Sequence, residues 1–115
     1  MPTSTSNPVI VFDDAGRVID ANEAAAQLVG QSLQTLRRMH LRDLYHPDDL
    51  PAVEERLRTL RPGEESHAER WLRCCNGKYI RVRLTGKRRT IGGYRVEYEA
   101  LSPDRVDLPS RAASG

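Results

Sequence analysis

Two hydrophobic rhythms run along this chain. From 80 to 84 and from 94 to 100 apolar residues fall at every second position: Ile80, Val82 and Leu84 alternate with Arg81 and Arg83, and Tyr94, Val96, Tyr98 and Ala100 with Arg95, Glu97 and Glu99. Successive side chains of a strand point to opposite faces, so this period predicts strands with one buried and one charged side. Between 50 and 60 the spacing becomes three, four and three, at Leu50, Val53, Leu57 and Leu60, the apolar stripe of an amphipathic helix. Glu54 and Arg58 stand four apart on its polar side, acid first, an order that favours an ion pair, and Pro62-Gly63 stops the helix.

Turn and cap residues divide the rest. "VIVF" (9–12) and "RVI" (17–19) flank "DDAG" and predict a hairpin. Asn22 suits the cap of a helix over 23–30 that Gly30 closes, and Ser32 starts the short "LQTLRRM". "HAERWLRCC" (67–75) and "KYIRVRLT" (78–85) flank Asn76-Gly77, the dipeptide of two-residue hairpin turns, and Gly92-Gly93 precedes a last strand, "YRVEYEAL" (94–101). Two strands, several short helices and three strands predict an α+β fold: a five-stranded antiparallel sheet with short helices and one longer helix packed on one face.

Composition narrows the function classes. The 115 residues suit one domain, and with 38% hydrophobic and 30% charged residues the chain has a modest core and a charged exterior. The small polar start and the aperiodic end give a domain at 8–103 between flexible segments at 1–7 and 104–115. Eighteen basic against 16 acidic residues leave a formal charge of +2, too little to steer the whole molecule to nucleic acid or an anionic membrane. No apolar run approaches the ~20 residues of a membrane span, and the amino terminus lacks the regions of a signal peptide, so the cytoplasm is the expected location. Adjacent cysteines, Cys74 and Cys75, rarely meet disulfide geometry and cannot make a four-ligand zinc site alone.

"DDAGRVIDANEAAAQLVG", "LRDLYHPDD", "PGEE" and "NGKYIRV", in this order, resemble the PAS domain over about residues 8 to 101. The pattern is an Asp-x-x-Gly hairpin (Asp13–Gly16), an Asn-capped helix ending in Gly (Asn22, Gly30), a His-Pro-x-Asp helix start (His46–Asp49), a charged strand (Glu69–Leu72) and the Asn76-Gly77 turn. The chain departs from it at Gln31, where relatives often carry an aromatic residue, at Arg38 in place of Gly, and at "LSPDR", where many carry Asp-Ile-Thr. The resemblance implies a sensory and interaction module, working as a homodimer or by docking to flanking signalling domains.

Candidate sites follow. Asp48 and Asp49 read as caps at a helix start, where carboxylates accept backbone N–H groups; with His46 they lack the further convergent ligands a metal needs, so no metal is assigned. His40 and His67 read as surface residues. No Gly-x-Ser-x-Gly elbow or phosphate-binding glycine loop is present, and no enzymatic activity is assigned. "QSLQTLRR" lacks the cysteine of flavin-adduct relatives and residues 50–60 lack the axial histidine of haem-binding ones, so neither cofactor is expected; an unidentified small molecule stays open. The resemblance places a pocket between sheet and helices, with Leu28, Leu36, Leu44, Val53, Leu57, Leu72, Val82 and Val96 as lining, although the same residues can fill the core, and a mostly filled interior is favoured. Alternation sends Trp71 to the outer face among Arg73, Arg81, Arg83, Glu97 and Glu99, an aromatic anchor for a partner unless the amino-terminal segment covers it. A basic stripe, Lys78, Arg81, Arg83, Lys87, Arg88 and Arg89, suggests weak nucleic-acid binding, reduced if Glu97 and Glu99 pair across strands with Arg81 and Arg83.

Overall fold

The computed structural model describes residues 7–108. Strands β1 (Val9–Phe12) and β2 (Val18–Ala21) lead into helices α1 (Glu23–Val29), α2 (Leu33–Leu36), α3 (Leu41–Leu44) and α4 (Leu50–Thr59), followed by strands β3 (Glu65–Arg73), β4 (Tyr79–Arg88) and β5 (Tyr94–Val106). The strands form one antiparallel sheet in the order β2-β1-β5-β4-β3, so the last strand lies in the middle and bonds both to the first and to its own predecessor. Ile10, Phe12, Leu72, Ile80, Val82 and Tyr98 from the sheet meet Val29, Leu36 and Leu44 from the helices in a fully buried core. A ten-residue helix is marginal alone, and α4 is held by burial of Val53 and Leu57, each contributing roughly 2 kcal/mol.

Local chemistry explains the boundaries. Asn22 Oδ1 accepts from Ala25 N–H at 2.9 Å and from Val9 N–H at 3.0 Å, so one side chain starts α1 and ties it to β1. Ser32 caps α2 through Thr35 N–H, but α2 stops at Leu36, short of the expected Met39, because Arg38 and Met39 form tighter bonds to carbonyls three residues back. Helix α3, too short to show a period, starts at a capping box in which the His40 ring accepts from Arg42 N–H and the Asp43 carboxylate accepts from His40 N–H. His40 is therefore not a free surface residue: its Nε2 also meets the Ala15 carbonyl at 2.7 Å and fixes the first hairpin turn.

The turn at 76–77 differs from expectation. A two-residue turn of the Asn-Gly kind needs positive φ at both residues, yet only Gly77 has it (φ 82°). The hydrogen bonds Gly77 N–H to Cys74 O and Cys74 N–H to Lys78 O make a three-residue loop instead, as the matching pair Gly16 N–H to Asp13 O and Asp13 N–H to Arg17 O does in the first hairpin. The final strand also exceeds its expected end at Leu101. Ile80 pairs with Arg105 and Val82 with Ala100, so Leu101 to Asp104 bulge opposite Arg81, Pro103 sits where no ladder N–H is required, and pairing resumes to Val106. Residues 104–106 thus belong to the sheet and not to the expected tail.

Gly93 has φ 77°, and a Cβ there would lie 2.2 Å from the Phe12 carbonyl oxygen, whereas a Cβ on Gly63 (φ 82°) meets nothing within 4 Å. Gly63→Ala isolates the left-handed backbone cost, about 1–2 kcal/mol in urea unfolding; Gly93→Ala adds the clash and should cost visibly more, and equal losses would show that β1 yields freely.

Candidate functional site

The row of inward-facing residues Ser66, Gly86 and Val96 runs across β3, β4 and β5, with Ala68 and Leu84 paired beside it. Neighbouring rows carry Leu72, Ile80 and Val82, so this end of the sheet lacks side-chain volume. The outcome is a hollow of about 70 Å³ roofed by Val53, Arg56 and Leu57 of α4 and bounded by Tyr45. The interior is filled by the buried core and leaves space at this place. Of the expected lining, Val53, Leu57 and Val96 border the hollow, while Leu28, Leu36, Leu44, Leu72 and Val82 are buried in the core away from it.

Beside the hollow, the Tyr45 and Tyr98 hydroxyls meet at 2.5 Å. Two phenols carry two protons and this contact uses one; among the described residues neither oxygen makes a second bond, so one buried O–H lacks an acceptor. Burial pushes both phenols well above the usual tyrosine range. For Tyr98 the adjacent Tyr45 adds to the rise, and for Tyr45 the bond from Tyr98 and the positive charge of Arg70 offset part of it.

The loop from α3 to α4 corrects the reading of its acids. Asp49 holds the N-cap position of α4 with ψ −19°, already helical, and its side chain makes no capping bond; Oδ2 instead accepts from Trp71 N–H at 3.2 Å and joins the loop to edge strand β3. The capping-type acceptor is His46 Nδ1, which takes the Asp48 N–H at 3.0 Å, with an Asp48 carboxylate oxygen 3.7 Å away. That bond leaves the ring proton on Nε2, which donates to the Leu108 carbonyl at 2.9 Å, while the buried ring packs edge-on against Tyr79. Arg105 makes a second tie, donating to the Leu28 carbonyl at 2.9 Å near the end of α1. On α4 itself Arg58 pairs with Glu55, one residue nearer than the expected Glu54.

The outer face carries the expected charged residues in a different pairing. Trp71 is half-buried, with the Arg81 guanidinium 5.1 Å from its ring centre. Glu69 reaches Arg81 and Arg83 at 3.6 Å each, and Arg83 continues to Glu99 at 3.6 Å. Glu97 lies opposite Thr85 and pairs with Arg95 of its own strand, not with Arg81, because the register that sets Arg83 against Glu99 carries Arg81 away from Glu97. Arg73 is exposed at the end of β3; of the amino-terminal segment expected to compete for Trp71, Asn7 donates to Glu97 at 2.8 Å and residues 1–6 lie outside the described residues. The basic stripe is divided: Arg81 and Arg83 are paired, and Arg88 turns to the inner face, stacking on Tyr94 and approaching Asp14 at 3.7 Å. His67 is exposed, with Thr85 Oγ1 3.2 Å from its Nδ1. Cys74 is buried and Cys75 exposed, both as free thiols.

With the sheet order, the helix layer and the His-Pro loop in place, comparison with known families decides the assignment: the PAS fold model matches residues 3–100. The chain belongs to the PAS fold family. The PAS domain of an HTR-like protein from Haloarcula marismortui superposes with a TM-score of 0.76 at 13% identity, covering 85% of this chain and 84% of that one. A domain of a sensory box sensor histidine kinase/response regulator from Geobacter sulfurreducens gives 0.71 at 19%, covering 81% and 82%. The PAS domain of a LuxR-family transcriptional regulator from Burkholderia thailandensis, solved in complex with ethanol, gives 0.68 at 17%, covering 83% and 88%. No curated protein matches the chain. The same fold thus occurs in a sensor histidine kinase/response regulator and in a transcriptional regulator. Among the described residues no helix is long and apolar enough to cross a membrane.

The buried phenols of this PAS domain predict alkaline sensitivity. Their folded pKa values lie above the unfolded one, so their contribution is complete below about pH 10 and is lost as pH rises further, by about 1.4 kcal/mol per pH unit for each. Urea unfolding in steps above pH 9 should show the decline, and Tyr98→Phe should make it shallower; an unchanged slope would mean that the phenol already ionises in the folded state.

Proposed function

We propose that this PAS domain is an interaction module of a signal-transduction protein that acts through its outer sheet face, by pairing with a second copy or docking a flanking segment. The carrying observation is the Trp71–Arg81 stack beside the Glu69, Arg81, Arg83 and Glu99 ion pairs. Exposed pairs of this kind contribute only about 0.2–1 kcal/mol each to stability, so they are weak reasons for such a face to be kept for folding. They do leave it near electrical balance around an aromatic residue, which lowers the cost of laying a partner across it. The reading requires no reaction, and the division of the basic stripe removes support for nucleic acid as the partner.

A second reading is favoured by the hollow at Ser66, Ala68 and Gly86 with its unspent phenol proton: the domain receives a small molecule between α4 and the sheet. The two readings are compatible, since a ligand shifts an interaction equilibrium by its difference in affinity for the two states.

Sedimentation velocity over a wide concentration range tests the first reading. The wild-type domain should self-associate, and Trp71→Ala should weaken association by about 30-fold, the effect of losing an aromatic anchor worth ~2 kcal/mol. Monomers at every concentration, with wild type and variant alike also in docking to the adjoining segments of the longest chain available, would sink the assignment of Trp71.

A further inference from the structure

We propose that the hollow takes a short unbranched monocarboxylate, its tail inside and its carboxylate at the mouth. The inference rests on the receptor reading above and adds the chemical class of the ligand. Three observations lead to it.

The first is charge. Arg56 and Arg70 border the hollow and no Asp or Glu does. Six arginines of the domain meet acids, Arg37, Arg58, Arg81, Arg83, Arg88 and Arg95, so their charge is already engaged. Arg56 and Arg70 pair with no acid among the described residues; the Arg70 guanidinium holds only the Glu69 backbone carbonyl, at 3.2 Å. Guanidinium groups bind carboxylates through charge-assisted, often paired hydrogen bonds, so two of them at one opening select an anion.

The second is the donor inside. Tyr45 and Arg70 both border the hollow, and the charges of Arg70 and, in the opposite sense, Asp49 are felt at the Tyr45 hydroxyl. The phenol O–H without an acceptor supplies a further hydrogen bond to a ligand oxygen. A neutral ligand with one oxygen uses that donor alone; a carboxylate has a second oxygen for the arginines.

The third is size and polarity. Val53, Leu57, Leu84 and Val96 give an apolar wall. A cavity of about 150 Å³ lined by such residues holds the six carbons of benzene, so about 70 Å³ accommodates a tail of about three carbons. With the carboxyl carbon this describes a four-carbon acid such as butyrate.

Amide-resolved NMR titration of the whole chain with butyrate and, in parallel, n-butanol provides the test. Butyrate should shift Ala68, Gly86 and Val96 and bind at least about tenfold more tightly than n-butanol. Arg56→Gln with Arg70→Gln should bring butyrate down to the level of n-butanol. Gly86→Val should abolish both titrations in a folded protein, because a Cβ there meets only Val96 Cγ2, at 3.9 Å, and the added methyls enter the hollow. If n-butanol binds at these residues as tightly as butyrate, or the arginine variant binds butyrate unchanged, the carboxylate assignment falls and the receptor reading stands. If neither compound shifts the three residues, or the shifts survive Gly86→Val, the receptor reading falls with it.

Discussion

The ladder of backbone hydrogen bonds that β5 makes with β1 on one side and β4 on the other is the constraint on which the other elements depend. It joins the two ends of the chain, sets which side chains of three strands share a row, and leaves β2 and β3 as the edges. Once Tyr94 pairs with Phe12 and with Arg88, the period of two in β5 dictates that Val96 and Tyr98 face the helices and that Glu97 and Glu99 face away. The phenol pair and the Arg83–Glu99 ion pair follow from that register, and the pairing of β3 with β4 adds the hollow and the Glu69 ion pairs.

The two faces of the sheet use their residues differently. On the inner face, space is left where Ser66, Ala68 and Gly86 stand; α4 contributes Val53 and Leu57 to its roof, and Arg56 at its margin keeps a charge beside apolar surface. On the outer face, nearly every charge finds a partner within the sheet. The α3–α4 loop joins the faces: Asp49 and His46 engage the backbone of Trp71, and the His46 ring holds Leu108. Contacts of β3, of the helix layer and of the chain beyond β5 thus meet in four consecutive residues, His46 to Asp49.

Much of the fold was legible in the sequence because alternation and caps are local signals. Ile80, Val82 and Leu84, the Asn22 and Ser32 caps and the closing Gly30 all rest on interactions within a few residues, and the structure places them as read. The partners of Glu97 and Arg81 depend on the register of β4 against β5, which no local pattern records. The phenol contact joins residues 53 apart in sequence, and Tyr45 falls in a stretch without a period. A missing side chain is harder still to read: Gly86 resembles any weak point in a strand until Ser66 and Val96 are known to lie beside it. At the helix start, the identity of the caps turned on one backbone angle at Asp49, and the imidazole took the role expected of the carboxylates.

The position of β5 also has a bearing on how the molecule forms. Before Tyr94 has been synthesised, β1–β2 and β3–β4 are two separate hairpins, each with an open edge and a half-covered apolar face, and no backbone pairing holds them together. Small ribbons of this sort are marginal in water. Only the arrival of the last strand closes both gaps at once, across nearly the whole length of the chain, and long loops must be closed before such contacts reward it. The domain is thus built to fold late and all together, after release of its final strand and not progressively from its amino terminus.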